Sequence, residues 1–137
     1  MGKIFTGFSI SLFLFAFDSR AETSNWLEVG ADSQAVYLLD LNSINGSFPT
    51  VSFLKKGVYS KFITETLGES RRVFKQTLGL IEVDCELRVN RVVEIQMLDE
   101  NDTQVWSSGY MKSRPWERVL GNTHAEKTLD FVCENFQ

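Results

Sequence analysis

The sequence predicts an α+β domain: a mainly antiparallel β-sheet of about five to six strands, with a C-terminal α-helix packed on one face and tethered by a disulfide. Three observations carry this reading. Runs rich in Val, Ile, Phe and Tyr, punctuated by Gly, Asn and Asp, succeed one another through most of the chain. The closing stretch "NTHAEKTLDFVCENF" switches to helical spacing, with Ala125, Leu129, Val132, Cys133 and Phe136 on one side. Cys85 falls on the apolar phase of a strand and Cys133 on the apolar phase of that helix, so both sulfurs point toward one interface.

Taken in order, the chain opens with "MGKIFTGFSISLFLFAFDSRA", a basic residue, an apolar run and small residues before a cut. That is the pattern of a secretory signal peptide over residues 1–21, too short for a membrane span of about 20 apolar residues. Residues 22–137 then form a single domain. "NWLEVG" is a short first strand, and "AVYLLDL" a second that stops at the Asn45-Gly46 turn signal. "TVSFLKKGVYS" is a third strand, while "KFITETLGES" reads as either an exposed loop or a poor strand. "RRVFKQTLGLIEVDCELRVN" runs long, and its apolar residues change phase at Gly79, which predicts a bulge or bend. "RVVEIQML" and "TQVWSSG" make a hairpin across "DENDT". Thr123 and Glu126 stand three apart at the start of the terminal helix, the spacing of a capping box.

Two cysteines in an exported chain read as one disulfide; two free thiols or a metal pair are the alternatives. His124 is the only histidine, which leaves a poor donor set for structural zinc. It reads as a surface residue at the first turn of the helix. The formal net charge is −4, and loss of Lys3, Asp18 and Arg20 with the signal leaves 12 cations against 17 acids, −5. That balance speaks against nucleic acid as a partner. Nucleophile, metalloprotease and phosphate-loop motifs are all missing from the sequence. "DENDT" carries a fragment of a calcium-loop spacing, but Tyr110 stands where the closing Glu would be, so a solvated hairpin turn is expected. The residues therefore predict a binding module, not an enzyme, with no cofactor and no metal. Lys55, Lys56, Lys61, Arg71, Arg72 and Lys75 form a basic cluster that reads either as balanced surface or as a patch for an acidic partner.

The order "NWLEVG", "VYLLDLNSI", "VSFLKKGVY", "VDCELRVNR", "PWERVLGNTHAE", "FVC" resembles the surface-adhesin protein E family of Gram-negative bacteria. The match runs through Tyr37, Asp40, Ser43 and Ile44, then Asp84, Cys85 and Arg88, then Trp116 to Val119 and Cys133. It covers about Asn25 to Cys133. The resemblance implies an antiparallel sheet with its C-terminal helix held by a disulfide, export to the cell envelope, and adhesion to host matrix and serum proteins such as vitronectin, laminin and plasminogen. Two departures stand out. No lipid-modifiable cysteine precedes Cys85, and Leu120-Gly121-Asn122-Thr123 replaces the usual proline before the helix. The expectation is thus an exported adhesin-like protein at the periplasm, the cell surface or outside the cell, with a protein partner and no integral membrane anchor. The alternative is a periplasmic structural or accessory protein that binds another envelope component or a small ligand. An open sheet edge also allows a homodimer by strand-to-strand pairing.

Overall fold

The computed structural model describes residues 25–111 and 113–136; the expected signal peptide, residues 1–21, lies outside them. The strands are β1 (Trp26–Ala31), β2 (Ala35–Asp40), β3 (Asn45–Ser47), β4 (Thr50–Leu67), β5 (Ser70–Asp84), β6 (Val89–Leu98), β7 (Gln104–Ser107) and β8 (Glu117–Arg118), followed by helix α1 (His124–Asn135). Six of them form an antiparallel path in the order β1-β2-β4-β5-β6-β7, with β3 added to the start of β4 and β8 to the start of β6. Among the described residues no helix is long and apolar enough to cross a membrane.

Helix α1 lies on one face of this sheet. Leu129 and Val132 are buried against Val29, Leu39, Val51, Phe53 and Val83. Alternation explains the choice of face: Val51 pairs with Val83 and Phe53 with Ile81, and directly paired residues share a side. The helix begins as its spacing predicts. Thr123 Oγ1 accepts from the Glu126 amide at 3.2 Å, while Glu126 Oε1 accepts from the Asn122 amide at 3.4 Å, one residue earlier than in the usual box. At the far end, Cys85 and Cys133 are bonded, with their Cα atoms 5.6 Å apart.

Three expectations are corrected. Cys85 does not lie within a strand: β5 stops at Asp84, and Cys85–Arg88 form a tight turn before β6. Asp84 Oδ1 accepts from the amides of Glu86 and Leu87, each at 2.9 Å, and Arg88 adopts a positive φ of 53°. The continuing alternation of "IEVDCELRVN" concealed this side-chain-capped turn. The turn foreseen at Asn45-Gly46 falls later, because Asn45–Ser47 pair with Thr50–Ser52 and Phe48-Pro49 make the corner. Finally, β5 pairs with β4 without interruption across Gly79. The irregularity lies against β6, where Leu80 faces Glu94 and Ile81 faces Val92, leaving fully buried Val93 as the extra residue. The change of phase at Gly79 records which side is covered. Ile81 and Val83 face the helix, whereas Gln76, on the other side, is buried by the β6–β7 turn and donates to Asp99 O at 3.0 Å and Asp102 Oδ1 at 2.9 Å.

Candidate functional site

Of the two readings of "KFITETLGES", the strand holds: Lys61–Leu67 complete β4 and Ser70 opens β5, at the tip of the longest hairpin. β2 pairs with β4 only as far as Tyr59, and β6 pairs with β5 only as far as Gln76. Beyond them Ile63–Leu67 and Ser70–Phe74 pair with each other alone. At a rise of about 3.3 Å per residue this two-stranded arm projects about 20 Å. Its tip is a two-residue turn at Gly68-Glu69, and Gly68 has the positive φ, +61°, that such a turn requires. The segment shows no clean apolar alternation because its more covered side is made by Glu65 and Arg72 beside Ile63, not by a run of hydrophobic residues.

The arm has two unlike sides. Strand alternation puts Arg71, Val73 and Lys75 in one row, across from Thr66 and Thr64. Val73 is 45% exposed, and Phe62, at the irregular base of the arm, is 52% exposed. The Lys75 ammonium lies 5.3 Å from the Phe62 ring and donates to Ser60 O at 2.7 Å, so one cation braces both. Lys61 is exposed beside them. On the opposite side Arg72 faces its cross-strand partner Glu65, and its guanidinium stacks on Trp106 at 4.2 Å. Arg72 Nη1 and Glu65 Oε2 are buried and make no hydrogen bond. The chemistry of the outer row is a cation–apolar–cation strip on a protein of net negative charge.

The remaining basic residues are placed differently. Lys56, on the sheet face away from the helix, lies 4.8 Å from the Trp26 ring and 3.4 Å from Asp102 Oδ1. Arg91 stacks on Trp116 at 4.3 Å and pairs with Glu82 at 2.7 Å. Each of the three tryptophans thus lies beneath a cation. In the "DENDT" turn, Asp99 Oδ1 accepts from the amides of Asn101 (2.8 Å) and Thr103 (3.0 Å), so that carboxylate serves its own loop.

Lys55 leaves the surface set: it is 7% exposed. Its ammonium points under the start of α1, where Nζ lies 2.6 Å from His124 Nδ1 and 3.4 Å from His124 O. His124 is likewise not the surface residue the sequence suggested. Its ring stacks on Tyr37 with centroids 3.6 Å apart, and the Tyr37 hydroxyl donates to Asp32 Oδ2 at 3.1 Å. Gly30 makes room, since a Cβ there would meet His124 Cβ at 2.7 Å. Burial pushes the Lys55 pKa down to about 8. Burial first, then the Asp32 hydrogen bond, raises that of Tyr37 to about 12. His124 is held below its ordinary value by burial and by the Lys55 charge, with Asp32 opposing. Sequence reasoning missed this cluster, yet a signal existed: Lys55 is in phase with inward Val51 and Phe53, and Lys56 is not.

With this geometry in view, the chain can be set beside known proteins. A family profile described as Surface-adhesin protein E matches residues 26–134. Two crystal forms of Haemophilus influenzae protein E share the fold. One superposes with a TM-score of 0.54 at 16% identity, covering 82% of this chain and 96% of that one. Crystal form II gives 0.54 at 15% identity, covering 84% and 98%. Among curated protein sequences none matches.

Proposed function

The chain belongs to the surface-adhesin protein E family, and from that premise we propose that it is an exported, non-enzymatic protein-binding module whose projecting β4–β5 arm makes the contact. The observation that carries this reading is the outer row of the arm. Arg71, Val73 and Lys75, with Phe62 and Lys61 at its base, stand clear of both flanking strands. Cations beside exposed apolar groups suit an acidic partner that also buries hydrophobic side chains. The Cys85–Cys133 bond supports an oxidising compartment. By analogy with the adhesins of the family, the partner is a host matrix or serum protein. Of the six cations nominated from sequence, Lys61, Arg71 and Lys75 are the proposed contacts.

The test is retention of residues 22–137 on immobilised vitronectin, laminin and plasminogen at low and physiological salt. Binding is expected to weaken as salt rises, and a Lys61→Glu/Arg71→Glu variant is expected to bind at least about tenfold more weakly. Both positions are exposed, so the fold survives the change. No retention of the unmodified protein on any of the three ends the host-protein reading. Retention that the double variant leaves unchanged removes the arm from it.

A further inference from the structure

Helix α1 is held to the sheet by two unlike fastenings. At its last turn the Cys85–Cys133 bond is covalent and indifferent to acid. At its first residue the fastening is a part-buried hydrogen bond between Lys55 and His124, 2.6 Å long. We propose that the first turn of α1 is a pH-sensitive flap, unseated from the sheet by acid while the disulfide and the buried Leu129 and Val132 keep the rest of the helix in place.

The geometry requires this. A hydrogen bond from the Lys55 ammonium to His124 Nδ1 needs that nitrogen unprotonated, with its hydrogen on Nε2. A second proton on the pair puts N–H against N–H at 2.6 Å and makes two adjacent cations. Neither turns away freely, because Lys55 lies beneath the helix and the imidazole is stacked on Tyr37, with its own Cβ close against Gly30.

The charged and titratable groups around the imidazole do not relieve the conflict. From the β1–β2 turn there is Asp32, whose carboxylate is held low by the amides of Gln34 and Ala35 and already accepts from Tyr37 as well. From β2 there is Tyr37, neutral across the acid range, with Tyr59 of β4 near its hydroxyl. From β4 there is Lys55, and from α1 itself Glu126 and Lys127 beside the cleft that His124 helps to line. That cleft, of about 560 Å³, gives protons access.

The sign follows from the depressed value of His124. Once the turn is open, His124 titrates near its ordinary value of about 6.5 and binds more protons than in the closed form. Acidification therefore shifts the balance toward open by up to about tenfold for each unit of pH below about 6.5, until the closed form is protonated too. Nothing in this depends on the arm or its partner.

The experiment is hydrogen exchange on the oxidised protein between pH 7.5 and 5, with each rate expressed relative to an unstructured peptide at the same pH. Protection at Lys127 and Thr128 is expected to fall by up to about tenfold per unit below about 6.5, while Val132 to Asn135 stay unchanged. His124→Asn should flatten that dependence, and Lys55→Met should reduce it to what burial of the imidazole alone imposes. The ring signals of His124 report its protonation directly and should move with the loss of protection. Protection that is level with pH in the natural protein overturns the proposal. So does a fall of equal size along the whole helix, or one that persists in His124→Asn.

Discussion

A lysine ammonium beneath a helix is expensive, and Lys55 shows what a single buried charge does to a small fold. Its value near 8 in the folded chain lies below the ordinary 10.5. The unfolded chain therefore holds the proton more tightly, and the folded state carries the penalty in full below pH 8. Stability is regained as pH rises from about 8 to about 10.5. Removing the charge should remove the penalty: Lys55→Met is expected to raise the unfolding free energy by about 2 kcal/mol at pH 7, after loss of the hydrogen bond to His124 is counted. A urea titration checks it, and a lowered midpoint would contradict it. The neighbouring Gly30 gives the converse case. Gly30→Ala puts a methyl 2.7 Å from His124 Cβ and is expected to cost about 1–3 kcal/mol, read as a lower melting temperature. Phase in β4 could have told the two lysines apart; no local rule could have placed His124 against Lys55, because 69 residues separate them.

At the scale of elements, the readable parts were those whose pattern answers to one neighbour. Helix α1 has a capped start and one apolar side, and the "DENDT" hairpin has alternation on both arms of a turn. The arm was unreadable for the opposite reason: one side is solvated and the other is covered through Glu65 and Arg72, the latter on Trp106, so it lacks the apolar periodicity that a hydrophobic neighbour imposes. The Cys85–Arg88 turn was hidden because Asp84 supplies its cap from the side chain, so no glycine or proline marks it. The disulfide joins that turn to α1 across 48 residues of sequence. Its reduction is expected to lower stability by about 4 kcal/mol on the chain-entropy account. Protection should fall first at Val132 to Asn135, the opposite end of the helix from the acid effect. Equal loss in sheet and helix would mean that the bond holds the whole domain together.

For the whole molecule, the sequence disclosed the class of fold and the covalent tie between its two layers, because both follow from alternation and from two cysteines. It disclosed less of the candidate site. Six cations close in sequence were dispersed by the twist and phase of two long strands: one to the interior, one to the far face, four to the arm. Only the three-dimensional arrangement distinguishes Arg71 and Lys75, which share an open row, from Arg72, which is held on Trp106. The two-residue tip at Gly68-Glu69 carries a consequence for engineering. Among the described residues nothing packs around Gly68, so a foreign peptide spliced there would be displayed on a stalk remote from the body of the sheet, and libraries at that junction could be varied in length and charge without disturbing the layers below.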